Sequence, residues 1–527
     1  MSKPFVARRL FWVLVGFLLL PLLLLATLFE GARWMLVFLL PIALVGIYDV
    51  VQKKRSLLRN YPVVGHFRYW LESFRPEIQQ YFVETNWQGR PYNRELRSIV
   101  YQRAKGELQT HPFGTQRDVY WVGHEWMNHS LAPLTPLKVE PRVRIGGDEC
   151  KQPYEASHLN ISAMSYGSLG VNAIRALNLG AKLGGFYHNT GEGGLSPYHL
   201  EDGGDLCWQI GTGYFGCRDE QGRFSAERFR DTSQNPSVKM IEIKLSQGAK
   251  PAHGGILPGK KVSHEIATIR GVPEGRDVIS PPAHSTFSSP AGLLDFVADL
   301  RELSGGKPVG FKLCMGYRSQ FLAICKAMTA TEVLPDFIVI DGAEGGTGAA
   351  PLEFANSVGT PLREGLLTVH NALVGCGLRD KIRLIASGKV VTGFHILRAM
   401  ALGADLCNGA RSMMFALGCI QARRCNNNDC PVGVATTDPS LGYGLNVQDK
   451  ARRVARYHHD TIEAFLDLVA SAGLDHPARI RPSHICRRTA HNETSTFEDL
   501  YPYLSEGSLL NGSAPSDWLR DFEVAHW

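Results

Sequence analysis

Charge of one sign is what this 527-residue chain has little of: 56 Lys and Arg stand against 50 Asp and Glu, a formal net charge of +6. With no long Lys/Arg run and no interleaving of aromatic with basic residues, nucleic acid is excluded as a partner. Cysteine is sparse as well. Eleven, unevenly placed, cannot build a secreted disulfide scaffold, and they point to the reducing cytoplasm. The apolar N-terminal run is followed by no clear A-x-A site, which argues against a cleaved signal peptide.

That run is the first thing present. Leu10 to Phe29 reads LFWVLVGFLLLPLLLLATLF, twenty residues without a charge, the length a helix needs to cross a bilayer core. A second apolar run, Trp34 to Tyr48, follows the polar break Glu30 to Arg33 and reaches spanning length only by extending to Val51. The expectation is a hairpin of two transmembrane helices, about 10–29 and 34–51. Lys3, Arg8 and Arg9 precede it and Lys53, Lys54, Arg55 and Arg59 follow, which places both ends, and the domain beyond, on the cytoplasmic side of the inner membrane.

The remainder divides by texture. Residues 55–150 carry apolar and aromatic residues at helical spacing, broken by Pro62 and Pro76, and read as a helical, aromatic-rich cap packed on the main body, with Trp70, Tyr81, Trp87, Tyr92, Tyr101, Tyr120, Trp121 and Trp126 as packing residues. From 151 to 475 short apolar strands alternate with Gly-rich loops and helical stretches; 476–527 is a C-terminal extension. Eight candidate strands (159–164, 185–190, 206–211, 239–245, 309–314, 336–341, 382–387, 405–410) predict an α/β fold, a (β/α)8 TIM barrel. The alternative is an open doubly wound sheet. The interval between the fourth and fifth strands, about sixty residues, exceeds what one crossover needs and is expected to cover the active site. Its cations, Lys250, His253, Lys260, Lys261, Arg270 and His284, suit a clamp for a dicarboxylate; His284 is given no catalytic role.

In such a barrel the reacting groups sit at the C-terminal strand ends. Gly388, Lys389, Gly409 and Arg411, after the seventh and eighth strands, read as a phosphate grip. Lys312, within the fifth strand and directed into the barrel mouth, suits a cation set beside an electron-rich flavin ring; the alternative is a lysine solvating a strand end. Finally, Cys419, Cys425 and Cys430 form C-x5-C-x4-C in GCIQARRCNNNDCPVGVA, with Asn426 to Asp429 marking an exposed loop. Three soft thiolates on one short loop suit a three-iron cluster; buried core cysteines are the alternative.

The motifs ISAMSYGSLG, HNTGEGG, IKLSQGAKP with LPGKKV, ISPPAH, DGAEGGTGAAP and GCIQARRCNNNDCPVGVAT resemble the synthase domain of the glutamate synthase large subunit over residues 155–475, and the complete chain resembles its stand-alone, membrane-anchored members. The resemblance implies FMN held by Ala163, Met164, Ser165, Lys312, Asp341, Gly345, Gly346, Thr347, Gly348, Ser387, Gly388, Lys389, Gly409, Ala410 and Arg411, and a 3Fe-4S cluster on the three cysteines. It implies reductive amination of 2-oxoglutarate by ammonia, with Glu192, Lys250 and Arg270 at the substrate and Glu192, Lys250 and Lys312 catalytic. Two positions depart from the family: Ile256 stands where a Gln is usual, and His253 where an acid is. These two leave substrate identity open, and the sequence as a whole leaves open the electron donor, the direction of the reaction and self-association. No nucleophilic-Cys glutaminase domain and no nicotinamide- or FAD-binding module accompany the barrel, so ammonia is expected from outside and electrons from a partner protein or a quinol. The competing readings are the same machinery on another 2-oxo, 2-amino or 2-hydroxy acid, and a non-catalytic electron-transfer scaffold.

Overall fold

A computed structural model describes residues 3–107, 109–110 and 112–526; the side chains of residues 3–6, and with them the expected flanking charge of Lys3, lie outside the described part. Met1–Glu95 and Leu96–Trp527 are two compact units.

In the first unit α1 (Lys3–Leu14) runs through a π turn, Val15–Leu19, into α2 (Leu20–Leu25). The π turn lies just before Pro21, which has no N–H for the helical ladder. α3 (Glu30–Val51) begins at the very residue expected to open the link. The bend falls instead at residues 26–29, because Arg33 Nε reaches back 2.9 Å to the Ala26 carbonyl and Thr27 Oγ1 donates to Leu24 O at 2.6 Å. Charged residues in a helix's first turn thus cap its neighbour rather than connect it. Ala7–Leu25 and Glu30–Val51 are each long and apolar enough to cross a membrane. α4 (Ser56–Asn60), α5 (Gly65–Ile78) with a further π turn at Gln79–Val83, and α6 (Arg94–Lys105) follow.

Two expectations for this region are corrected. The helical pattern stops at Lys105: Pro112, Pro133, Pro136 and Pro141 withhold backbone donors, and residues 107–142 hold no helix among those described. Of the aromatic residues read as packing, Tyr92 is buried, but Trp70, Tyr81, Trp87, Tyr120 and Trp121 are 41–72% exposed.

The second unit is built on eight parallel strands closing a barrel: β1 (Leu159–Ile161), β2 (His188–Asn189), β3 (Leu206–Ile210), β4 (Val238–Lys244), β5 (Val309–Leu313), β6 (Phe337–Asp341), β7 (Arg383–Ser387) and β8 (Leu406–Gly409). Seven fall within an expected run, shortened at one or both ends, and β4 keeps its expected length but starts one residue early, at Val238. β2 shrinks most, because Gly185 is the left-handed C-cap (φ 67°) of the preceding helix Val171–Gly184 and Phe186 still bonds back to Ala181. Gly211, Gly213 and Gly216 follow β3 at dinucleotide-fingerprint spacing, yet the chain turns irregularly there and the next helix waits until Ala226. Gly310 in β5 is required by packing, since a Cβ would lie 2.2 Å from Phe337 O.

An antiparallel hairpin, Val143–Ile145 with Tyr154–Ala156, stoppers the N-terminal end of the barrel. Ile145 and Ala156 cluster there with the strand residues Cys207, Met240, Phe337, Ile385 and Leu406, all at most 1% exposed. Burying each large apolar side chain stabilises the fold by about 1.5–3 kcal/mol, and the plug leaves the C-terminal mouth as the open end. The insertion between β4 and β5 carries a second hairpin, Ile256–Leu257 with Val278–Ile279, and a helix, His264–Arg270. The C-terminal extension adds strands Ile485–Ala490 and Glu493–Thr496, antiparallel to each other, and the first of them also pairs with Glu125–Met127.

Candidate active site

Glycine-rich strand ends let one carboxylate sit between backbones at the mouth. Glu192, after β2, is flanked by Gly211 and Gly255, at either of which a Cβ would come within 2.8 Å of the Glu192 carboxyl. Lys244, the last residue of β4, places Nζ 2.8 Å from Glu192 Oε1 and bonds Gln247 Oε1 at 2.5 Å. Arg270, from the insertion, reaches back with Nη2 to Tyr166 O (2.8 Å) and Ser165 Oγ (3.4 Å), and its guanidinium lies 5.2 Å from the Phe215 ring centroid. Its Nε is buried without a partner. Lys250 is 1% exposed, and its ammonium bonds to none of the described residues.

Three cations therefore surround one carboxylate in a place with little water. Burial opposes ionisation of Glu192, but Lys244, then Lys250 and Arg270, hold the carboxyl below its ordinary value. Burial pushes Lys250 down to about 8, against the pull of Glu192, and Arg270 down to about 10. The surplus of two positive charges, one on a donor with no protein acceptor, fits a small dianion. Lys244 was missed in the sequence. The signal was there in KMIEIKL, where Glu242 and Lys244 alternate in an otherwise apolar strand and so share its inner face.

The clamp gives two expected outcomes. Because Lys250 binds an anion only as the ammonium, KM for a 2-oxo acid should be lowest below about pH 8 and rise above it, while Lys250→Met should flatten the profile in steady-state assays. A Cβ at Gly193 would stand 2.6 Å from Arg270 Nη2 and 2.8 Å from Ser165 Cβ. Gly193→Ala should displace the guanidinium from Tyr166 O and raise KM by about tenfold, roughly one charged hydrogen bond, with a smaller effect on thermal stability.

Deeper in the barrel Lys312 stands 3.5 Å from Asp341 Oδ2. Asp341 also accepts from Gly248 N (2.8 Å) and Ser387 Oγ (2.7 Å), and Ser387 Oγ lies 3.3 Å from Ser162 Oγ. Burial works against the Lys312 ammonium, but Asp341 and Glu242 hold its pKa above the ordinary value; burial pushes Glu242 up. Lys312 is thus a fixed interior cation rather than a strand-end lysine solvating itself.

On the opposite rim Arg411 Nη2 donates to Glu344 O at 2.7 Å, and a Cβ at Gly346 would come 2.8 Å from Arg411 Nη1. At Gly409 a Cβ would meet Ser412 Oγ at 2.6 Å, and at Gly388 it would meet Leu362 and Glu344 at 3.3–3.4 Å. Lys389 takes φ +48° to turn the chain away. Among the described residues no acceptor faces the amides of Gly388, Ala410 and Ser412, and Ser412 Oγ is buried unpartnered. Unspent donors, close-approach glycines and an arginine fit a phosphate. Ala163, Met164 and Ser165 close the mouth after β1, with Met164 9% exposed; Thr347 is exposed at the tip of the Gly345–Gly348 turn.

The cysteine loop adjoins this rim: a Cβ at Gly348 would contact Cys425 O and Cβ at 3.3–3.4 Å. Burial, and the neighbouring Cys425 and Cys430, push the Cys419 thiol up to about 12. Gln421 N–H points at Cys419 Sγ (3.5 Å) and Tyr101 OH donates to Cys419 O (2.6 Å). Gln421, Arg423 and Asn428 all have φ of 56–66°, a concentration of left-handed, non-glycine residues that a binding loop sustains and a packed core does not need. The sole described group of three metal-ligating side chains with ligand atoms within 4.8 Å of one another is His459, Asp460 and Glu463, so the three sulfurs do not converge on one ion. Ligands 2.3 Å from a single tetrahedral ion would lie about 3.8 Å apart, whereas these three sulfurs do not all lie within 4.8 Å of one another. Lys261, expected among the clamp cations, is instead a tether: it is 2% exposed and donates to Ser168 O and Ala435 O, both 2.9 Å, tying the loop after β1 to the segment after Cys430.

Of the remaining insertion residues, His253 turns Nδ1 to Gly254 O (3.0 Å) and sets its ring edge-on to Phe354. Ile256 lies half-buried in the hairpin opposite Ile279. His284 bonds Lys244 O (2.9 Å) and Tyr214 OH (3.1 Å), a positioning part with its pKa lowered to about 4 by burial.

Comparison with known proteins gives this mouth a lineage. The family model "conserved region in glutamate synthase" matches residues 130–475. A Bacillus subtilis glutamate synthase large subunit-like protein is 39% identical over 499 residues, covering 87% of this chain and 94% of its own. An archaeal glutamate synthase [NADPH] of Methanocaldococcus jannaschii is 36% identical over 316 residues, 60% of this chain and 59% of its own, so the chain spans about three fifths of that relative. A solved mandelate oxidase variant superposes at a TM-score of 0.37 with 15% identity over 69% of this chain and 88% of its own, too loosely to carry an argument. With a match over well more than half its length, and with relatives named glutamate synthase [NADPH], the chain belongs to the glutamate synthase family and is an oxidoreductase of that type.

Proposed function

We propose that the protein is a membrane-anchored FMN and iron–sulfur enzyme that converts 2-oxoglutarate, externally supplied ammonia and two electrons into glutamate. The observation that carries it is the two-charge surplus around Glu192, set in the same mouth as the buried Lys312 and the unspent amides of the β7 and β8 loops. Lys250 and Arg270 hold the two carboxylates and Lys244 keeps Glu192 ionised, so that Glu192 takes up or returns the proton exchanged when ammonia displaces the keto oxygen as water. FMN, when bound, supplies the hydride that reduces the resulting imine. Lys312 faces the charge that shifts during that transfer, and the site's low water content protects the imine from hydrolysis. Cys419, Cys425 and Cys430 would hold a three-iron cluster, which would supply electron transfer from a donor protein or a quinol, and Gly348 keeps the Cys425 end of that loop close to the rim.

Anaerobic addition of 2-oxoglutarate and ammonium to the reduced, detergent-solubilised protein should reoxidise the flavin and yield glutamate. If flavin and cluster signals are present but neither reoxidation nor glutamate follows, 2-oxoglutarate is the wrong substrate. Ile256 favours a second reading for that case, since an isoleucine side chain cannot hydrogen-bond a distal carboxylate and accommodates a less polar 2-oxo acid.

A further inference from the structure

α5 carries an aromatic stripe that nothing in its own unit covers. Phe67 (59% exposed), Trp70 (56%), Leu71 (43%), Phe74 (46%), Ile78 (45%) and Phe82 (85%) recur at three- and four-residue steps, so they share one face over four turns. Their rings form a ladder, Phe67 on Trp70 at 5.7 Å and Trp70 on Phe74 at 5.1 Å. Arg68 and Arg75 border the stripe on the same flank at about 80–100° around the helix axis, Arg68 held by Glu72 at 2.9 Å. A nearly wholly apolar groove of about 610 Å³ between α4 and α5, lined by Leu57, Tyr61, Val64 and Leu71, extends the surface. Packing in water does not explain so much exposed aromatic area.

Two further observations say what covers it. Asp49, near the end of α3 and fully buried, accepts from Val63 N and from His66 Nε2, both at 2.9 Å. Gly46 is kept small beneath this contact, since a Cβ would lie 2.9 Å from Val63 and closer still to Phe11. The first turn of α5 is therefore pinned to the last turn of α3, a helix of 22 residues and about the thickness of a bilayer core. In addition, residues 1–95 contain twelve Lys and Arg against six Asp and Glu, so the chain's whole excess of +6 lies in this unit and residues 96–527 balance.

We propose that α5 and its π-helical extension lie in the headgroup layer of an anionic bilayer, with the Phe67–Trp70–Phe74 stripe among the upper acyl carbons and Arg68 and Arg75 on lipid phosphates. This rests on the hairpin spanning the membrane. The stripe then acts as a second, lateral anchor that fixes the tilt of the unit and makes its seating depend on anionic lipid.

The full chain is reconstituted into vesicles of phosphatidylcholine with or without phosphatidylglycerol, with acyl chains brominated near the headgroup, and tryptophan emission is recorded for wild type, Trp70→Phe and Trp34→Phe. The wild-type minus W70F difference isolates the stripe, and the wild-type minus W34F difference isolates the hairpin. Both signals should be quenched by brominated lipid, with the Trp70 signal shielded from aqueous acrylamide, and more strongly so when phosphatidylglycerol is present. A Trp70 signal that acrylamide quenches equally in vesicles and in detergent, beside a Trp34 signal quenched by lipid, would overturn the lateral anchor and leave the span standing, assigning the stripe to a protein partner. Trp34 emission untouched by brominated lipid would remove the span itself and the proposal with it.

Discussion

Lys312→Met should be the most damaging single change in the barrel, lowering folding stability at pH 7 by about 3–5 kcal/mol, the usual cost of removing one partner from a buried ion pair. Lys312 is 5% exposed and is the cation that Glu242 and Asp341 share. Without it two interior carboxylates face each other, and Glu242, whose pKa burial already raises, is driven higher still. An acid whose folded pKa exceeds its unfolded value binds more protons in the native state, so stability falls as pH rises between the two values. The variant's deficit should therefore shrink as pH is lowered from 7 towards 5, the direction in which a carboxyl with a raised pKa takes up its proton. Thermal denaturation of detergent-solubilised wild type and K312M across that range measures this. A deficit independent of pH would show that Lys312 acts through packing alone. Lys312→Arg should restore most of the stability but not the rate, because the planar guanidinium keeps the charge while moving it away from the ammonium's position. Such a split would mark Lys312 as a group that acts on the reacting centre.

Most of the strands were legible in the sequence because they are short, nearly continuous apolar runs, the pattern of a strand buried on both faces; β2 (His188–Asn189) and β8 (Leu406–Gly409) carry that pattern least. Their ends were less so, since a C-cap such as Gly185 and a strand residue look alike until the φ angle is known. Glu192, Lys250 and Arg270 were named from motifs and Lys312 from its place in an apolar strand; the first three come together at the mouth, and Lys312 lies deeper in the barrel. Lys244 was not named, and Lys261 was given the wrong role, because both roles arise from partners far along the chain: Glu192 for one, Ser168 and Ala435 for the other. The same limit explains the hairpin bend, where Arg33 looks like a linker residue until its bond to Ala26 O is seen, and the strand Glu125–Met127, which gains its identity only by pairing with residues 485–487. The aromatic residues of α5 were read as packing because their spacing is that of a buried helix face. Spacing reports which residues share a face, and says nothing of whether protein or another medium lies against it.

Cys425→Ser should abolish the cluster, seen as loss of the broad visible absorbance and of the three-iron paramagnetic signal in the oxidised protein, while the flavin stays bound. A hydroxyl is a hard, weakly acidic ligand that does not replace a thiolate on iron. The damage should remain local. The loop is held at both ends independently of Cys425, by Tyr101 on Cys419 O and by Asn428, which accepts from Thr437 N (2.7 Å) and from Thr436 Oγ1 at its own carbonyl (2.6 Å). Without iron the left-handed Gln421 and Arg423 lose what compensates their strain, so the segment should become readily cleaved by protease at Arg423 and Arg424, both exposed. Flavin reduction by an artificial donor that reaches the mouth directly should persist, whereas reduction through the physiological donor should stop. Lys261→Met is the graded counterpart. It keeps the three thiolates but removes a buried positive charge that sees both Cys425 and Cys430, which should favour the oxidised, less negative core. A penalty on the order of 1–2 kcal/mol corresponds to a midpoint potential lower by about 40–90 mV for a one-electron couple. Potentiometric titration of K261M against wild type reads that shift. A potential unchanged by the substitution would reduce Lys261 to a tether between Ser168 O and Ala435 O, and would leave the cluster's potential to be set by the Gln421 amide and the exposure of the loop.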